Sequence, residues 1–273
     1  VDRYAVADGT QRASRPTPEV LAALSAEEAP EVDASALRDG GFKLGLGSSA
    51  AMLVASLGVA YARAGKDLRA LVVRHALFAE ARRAHAQVQS GGSGVDVAAS
   101  VYGGALEYTL EADGSARAEP LTLPTGMVID VFWCGNPSVT TSMRARVDTL
   151  RDRDASVYRA RIDAVGSAAR AAVAAGRADD LHGFLAATRE GAAALAALGR
   201  DSNAPIFPDS TGALVPLAEE EDGAFLPSGA GGGDVFVHLG QGDASPRFVA
   251  AATAAGMRRV PMRRDSEGVH LPS

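Results

Sequence analysis

The sequence predicts an α+β protein of two domains. Strand-like and helix-like stretches are partly segregated instead of alternating regularly, which argues against a doubly wound sheet. The pattern also changes near Pro137: from Thr140 to Gly199 there is no proline and alanine is abundant. That shift divides the chain into an expected N-terminal domain, residues 1–137, and a C-terminal domain, residues 138–273. No internal repeat is visible.

The elements follow in order. The first 40 residues are irregular, interrupted by Pro16, Pro18 and Pro30, with a short helix expected over Val20 to Leu24. Apolar residues at Ala50, Leu53, Val54, Leu57 and Tyr61 fall on one helical face, and Gly65 offers a C-terminal stop. Asp67 can cap a second helix running to about Gln89, with Leu68, Leu71, Val72, Ala76 and Ala79 on its inner side. Val95 to Val101 reads as a short helix ended by Gly103 and Gly104. Ala105 to Leu110 and Met127 to Trp133 read as strands, with a turn between them at Asp113 and Gly114. Thr140 to Gly199 holds two or three helices. A short helix near Ser210 to Glu221 contains Pro216, which weakens it. Val235 to His238 reads as a strand and Arg247 to Ala255 as a helix. Arg259 to Met262 and Val269 to Leu271 are the expected last strands.

Composition narrows the function. A chain of 273 residues can bury a real core, and no apolar run approaches the ~18 residues of a membrane span. The net charge of −6, without any dense basic block, argues against nucleic acid as a partner. Val1 to Thr10 lacks the pattern of a signal peptide. Cys134 is the only cysteine, which suits a reducing compartment. The expectation is a cytoplasmic protein, monomer or homodimer, acting on a small molecule away from membranes.

Three glycine-rich segments carry the chemistry. Gly45-Leu46-Gly47-Ser48-Ser49-Ala50 precedes the first long helix. Glycines let the backbone approach a ligand, and the helix N-terminus offers free N–H groups to an anion. Ser48 and Ser49 add hydroxyls for phosphate or a magnesium ion. A serine-capped loop before a core helix fits the same residues. The segment lacks the Gly-Lys-Ser/Thr ending of a Walker loop. The second, Ser90-Gly91-Gly92-Ser93-Gly94-Val95-Asp96, sets an acid at the start of a helix, where it can cap, accept a proton or hold a cation. The third, Pro227-Ser228-Gly229-Ala230-Gly231-Gly232-Gly233-Asp234, spends so much glycine that close approach to a ligand is favoured over a purely structural role.

In this order the three segments resemble the motifs of the GHMP kinases, from about Leu44 to Gly240. The resemblance implies ATP and Mg2+ as cofactors. It assigns Gly45, Leu46, Gly47, Ser48, Ser49 and Ala50, with Gly229, Ala230, Gly231 and Gly232, to the nucleotide. Ser49 would hold the metal and Asp96 would be catalytic. The continuation Val97-Ala98 to Tyr102-Gly103-Gly104 is similar to the phosphomevalonate kinase branch, as is Trp133-Cys134-Gly135 ahead of Thr140 and Thr141. Ser93, Gly94, Thr140, Thr141, Arg144 and Ser228 would then bind a phosphorylated small-molecule substrate, with Arg146 near Arg144 suited to the same anion. The implied reaction moves the γ-phosphoryl of ATP onto mevalonate 5-phosphate. A mevalonate or sugar kinase, or a non-catalytic nucleotide-binding protein, are the alternatives. The implied fold is a ribosomal-protein-S5-like N-terminal domain with a left-handed crossover, joined to a ferredoxin-like C-terminal domain.

Three departures from the family pattern stand out. The family's opening strand, with its basic residue and Gly-Glu-Tyr/His-like turn, has no counterpart, so roughly 25 to 40 preceding residues are expected, about one strand-turn-strand unit. Leu226 stands where relatives often carry lysine. His85, eleven residues before Asp96, stands near the place of a metal-binding glutamate, and Glu80 is the nearest acid upstream.

Overall fold

In the computed structural model, which describes residues 15–34, 38–39, 42–43, 45–89, 92–135, 140–262 and 264–271, the chain forms two units. One takes the chain up to Leu121 and again from Arg264; the other spans Thr122–Arg263. The expectations for Val1 to Thr10, Leu44, Ser90, Gly91, Pro137 and the Thr140 side chain lie outside the described residues.

The first unit begins with α1 (Pro18–Ala23), whose Thr17 hydroxyl accepts the Val20 N–H and whose Pro18 occupies the first turn. A short antiparallel ladder joins β1 (Arg38–Asp39) to β2 (Phe42–Lys43). The long helix α2 (Ser48–Arg63) follows. Its expected face is buried, and so are Ala51, Met52, Ala55, Ser56 and Gly58. The helix is therefore covered on more than one side: Leu53, Val54 and Leu57 pack into the main core, while Met52 and Ala55 meet Val32 and Ala34. At Gly58 the chain returns so closely that an added Cβ would lie 2.8 Å from Val269 Cγ2.

Helix α3 (Leu71–Val88) departs from its expected start and face. Asp67 accepts the Arg69 N–H in a turn and caps no helix. Leu71 and Val72 are 62% and 75% exposed, and Ala76 and Ala79 are exposed too. The buried side is Leu77, Phe78, Ala81, Ala84 and His85, which pack with α2 and with α4 (Val95–Tyr102). Leu77→Ala would remove about 2–5 kcal/mol, the usual cost of emptying such a site. The hairpin β3 (Ala105–Leu110) and β4 (Ala116–Leu121) turns at Asp113 and Gly114. The sequence reading missed β4, which carries Pro120 opposite Leu106. Val269 to Leu271 is not a strand; Val269 is buried and donates its N–H to the Val101 carbonyl.

The second unit opens with β5 (Val128–Trp133), followed by α5 (Thr140–Arg153), α6 (Ala155–Arg177) and α7 (Leu181–Ser202). Asp154 and Asp180 cap α6 and α7. After a 3-10 turn at Asp209–Thr211 come α8 (Leu214–Glu220), β6 (Ala224–Pro227), β7 (Val235–Gly240), α9 (Pro246–Ala254) and β8 (Arg258–Val260). Pro216 is accommodated because it falls in the first turn of α8, where no intrahelical donor is needed.

The sheet order is β6-β7-β5-β8, all pairs antiparallel. With helices after its first and third strands, this is the ferredoxin-like arrangement. It also moves the expected division of the chain. Residues 128–133 were grouped with the N-terminal domain, yet β5 is a central strand of this sheet, bonded on both sides. Phe132, Phe225, Phe236 and Phe248 fill the core with edge-on and stacked contacts at 5.2–6.2 Å.

Candidate active site

The N-termini of α2 and α4 meet in the first unit. Gly47 precedes α2 with φ 70 and ψ 30, and Gly94 precedes α4 with φ 76 and ψ 15. Both are left-handed conformations that glycine adopts without strain. Neither N-cap glycine offers a side-chain cap; at α4 the Val95 and Val97 N–H groups go to Ser93 Oγ and Asp96 Oδ1, while the first-turn N–H groups of α2 remain for a ligand. An added Cβ at Gly47 would lie 3.2 Å from Asp96 Cβ. The glycine therefore lets the first loop lie directly against the aspartate of the second.

Asp96 is fixed at both oxygens. Oδ1 accepts the Val97 N–H at 2.9 Å, and Oδ2 lies 3.4 Å from His85 Nε2. Burial alone would raise its carboxyl, but the His85 contact and the Val97 N–H outweigh that and hold it below the ordinary carboxylate range. The bond to Asp96 raises His85 against the opposing effect of burial. The Asp96 side chain is 35% exposed, so the charged carboxylate remains reachable.

The Ser93–Gly94 turn is braced from two sides. The Tyr108 hydroxyl, on β3, donates to the Ser93 carbonyl. Arg82, on α3, lies so close that a Cβ at Gly94 would be 3.0–3.3 Å from its side chain, and its guanidinium donates to the Gly114 carbonyl at 2.5 Å. Glu19 of α1 is 2% exposed; Oε1 accepts from Gln89 Nε2 at 2.7 Å. Burial pushes the Glu19 carboxyl up, but the Ser49 hydroxyl, the backbone, Gln89 and Thr17 bring it below its ordinary value. Its Oε2 is buried without a hydrogen-bond partner.

Of the residues expected at the nucleotide, Gly45 is exposed with φ 72, Leu46, Gly47, Ser48 and Ser49 are half-buried, and Ala50 is fully buried. Ala50 can thus offer only its backbone. Glu80, the nearest upstream acid, accepts the Tyr61 hydroxyl at 2.8 Å; burial and that carboxylate push the phenol up to about 12. His85, not Glu80, faces Asp96.

The remaining expected residues belong to the second unit. Ser228 and Gly229 are exposed in the β6–β7 loop, closed by the Ser228 N–H to the Val235 carbonyl at 3.0 Å. Gly231 and Gly232 have φ 79 and 76, and both fit against the segment before the 3-10 turn. A Cβ on Gly231 would lie 2.8 Å from Ile206 Cα, and Gly232 donates its N–H to the Ile206 carbonyl at 3.1 Å. Packing thus makes use of these two glycines. Ala230 packs beside Ile206. Thr140 and Thr141 open α5; Thr141 is exposed, and exposed Arg144 reaches Asp148 at 4.0 Å. Arg146 donates to the Asn203 carbonyl at 2.5 Å.

Sequence reasoning missed Glu19, Arg82 and Tyr108. Arg82, His85 and Gln89 recur at helical spacing on α3, a signal that could have grouped three of the surrounding residues. Nothing local marks Glu19. Cys134, beside the second unit's sheet, is pushed up to about 11 by burial and Asp234, which makes it a poor nucleophile.

The profile of the GHMP kinases N terminal domain matches residues 23–104. A phosphomevalonate kinase from Streptomyces sp. (strain CL190) is 30% identical over 258 residues, 86% of this chain and 68% of that protein. Among solved structures, the Lin0012 protein from Listeria innocua is similar with a TM-score of 0.76 at 22% identity, covering 89% of this chain and 75% of that one. Streptococcus pneumoniae phosphomevalonate kinase in complex with phosphomevalonate and AMPPNP is similar with a TM-score of 0.68 at 18% identity, covering 84% and 71%.

Proposed function

The chain belongs to the GHMP kinases, and from that membership we propose that it moves the γ-phosphoryl group of ATP onto the phosphate of mevalonate 5-phosphate, in isoprenoid precursor synthesis. The observation that carries this reading is the close approach of Gly47 to Asp96 where the uncapped N-terminus of α2 meets the start of α4. Such a place binds anionic phosphate through N–H groups and the helix dipole, and it sets a carboxylate beside the bound chain.

Each residue has a role in this reading. The backbone of Gly45 to Ala50 holds the phosphates, with Ser48 and Ser49 adding hydroxyls. Ser93 and Gly94 position the acceptor on a braced turn. Asp96 orients the metal or a lysine at the transferring group more than it acts as a strong base, and its effect falls chiefly in the transition state. The acceptor is already a phosphate and needs little deprotonation, so orientation is the larger part of the work. The family resemblance adds Gly229 to Gly232 for the nucleotide and Ser228, Thr140, Thr141 and Arg144 for the acceptor.

Magnesium would neutralise charge on the phosphates. The donor set fits a hard cation: the Ser49 hydroxyl lies beside Glu19, whose buried Oε2 has no hydrogen-bond partner. Among the described residues no helix is long and apolar enough to cross a membrane.

The test is a panel assay of the full-length protein with ATP and magnesium against mevalonate 5-phosphate, mevalonate, galactose and homoserine. ADP release coupled to a new diphosphate signal with mevalonate 5-phosphate supports the reading. Turnover confined to an unphosphorylated acceptor reassigns it within the family.

A further inference from the structure

We propose that His85 is a positioning residue for Asp96, a clamp on helix α3 that fixes the carboxylate in the orientation the phosphoryl group requires. The inference rests on the reading of Asp96 given above.

The geometry is specific. His85 is 7% exposed, and its Nε2 lies 3.4 Å from Asp96 Oδ2. A buried ring nitrogen needs a partner, and Asp96 supplies one. The other carboxylate oxygen is held by the Val97 N–H. With one oxygen held on its own helix and the other beside α3, rotation of the carboxylate about its terminal torsion would give up both contacts. That torsion is otherwise broad. The clamp comes from a rigid element: α3 runs 18 residues, and His85 lies in its last turn, where a cation is favoured.

The surroundings keep the ring in place. Gly92 lies along its far edge, where an added Cβ would be 3.7–3.8 Å from Cε1 and Nδ1. Helices α3 and α4 thus bring His85 and Asp96 together, with Gly47 against the latter. A reacting group oriented by a second side chain is a general arrangement in catalysis, and loss of such an outer partner typically costs about 10- to 100-fold.

The experiment compares His85→Ala, His85→Gln, His85→Asn, Asp96→Asn and the His85→Ala/Asp96→Asn double variant in the full-length protein, with ATP and mevalonate 5-phosphate. His85→Ala should lower kcat about 10- to 100-fold while both KM values stay within about twofold. His85→Gln should recover most of the rate, because its amide N–H can replace Nε2. His85→Asn, with a shorter reach, should resemble His85→Ala and serves in its place if the alanine variant does not fold. The double variant should be no slower than Asp96→Asn alone, since both changes remove one unit. A normal kcat in both His85→Ala and His85→Asn, with Asp96→Asn slow, overturns the clamp alone, as does a double variant whose losses multiply. Unchanged turnover in Asp96→Asn overturns the reading of Asp96 and the clamp with it.

Discussion

The two glycine loops look alike as sequence and differ in what their missing side chains make room for. At Gly47 the absent Cβ leaves space against Asp96, a charged group that the fold keeps reachable. At Gly231 and Gly232 the space is taken by the protein itself, by Ile206, Pro205 and Met143. At Gly229 an added Cβ would meet nothing within 4 Å, and the residue is exposed. Glycine density therefore marks close approach without saying to what.

The sharpest way to break this comparison is Asp96→Asn. If the first loop is the reactive one, kcat should fall at least about a hundredfold, the scale of a lost electrostatic or acid–base group. A loss confined to KM would make Asp96 a binding residue, and steady-state kinetics separates the two. A smaller effect, of another kind, is expected in the second loop. Gly231→Ala forces a side chain into the Ile206 backbone at a positive φ and should destabilise the protein by about 1–3 kcal/mol, read by denaturant melts. If it melts like wild type, the packing explanation of that loop fails.

The His85–Asp96 pair gives a subtler, pH-dependent effect. The His85 value is raised from 6.5, so its contribution is complete below 6.5 and lost as pH rises through the raised value. The Asp96 value is lowered from 3.8, so its contribution is complete above 3.8 and lost as pH falls through the lowered value. Both contributions coexist from pH 3.8 to 6.5. The melting-temperature gap between wild type and His85→Gln should be widest in that window and close toward alkaline pH. A gap independent of pH would mean that the pair carries no charge coupling. The smallest effect is reserved for Gly229→Ala, whose Cβ meets nothing within 4 Å. Stability should change by less than about 1 kcal/mol, and a raised KM for ATP would bring this one position into the nucleotide's reach.

Much of this was legible in the sequence because it is local. Helix α2, strand β3 and the glycine before each helix follow from periodicity and backbone chemistry. Where the sequence reading went astray, tertiary packing decided. Leu71 and Val72 look like core residues but face outward, since α3 is held by Leu77, Phe78 and Ala81 one face away. Strand β5 looked like the end of the first domain until its partners β7 and β8, more than a hundred residues later in the chain for β7's Gly240, were known. At the site, Asp96 was legible from its turn. That His85 and not Glu80 lies beside Asp96 was not, because it depends on which α3 side chain the start of α4 meets. Glu19 came from a distant helix with no motif to announce it.

The central claim is that the phosphate chain of ATP lies on the Gly45–Ser49 backbone beside Asp96. Calorimetric titration of ATP into the full-length wild type and into Gly47→Val tests it most directly, with melts to confirm that the variant is folded. A folded Gly47→Val that has lost at least about tenfold in affinity, more than about 1.4 kcal/mol, is the predicted result. ATP affinity equal to wild type would contradict the account and move the nucleotide away from this helix N-terminus.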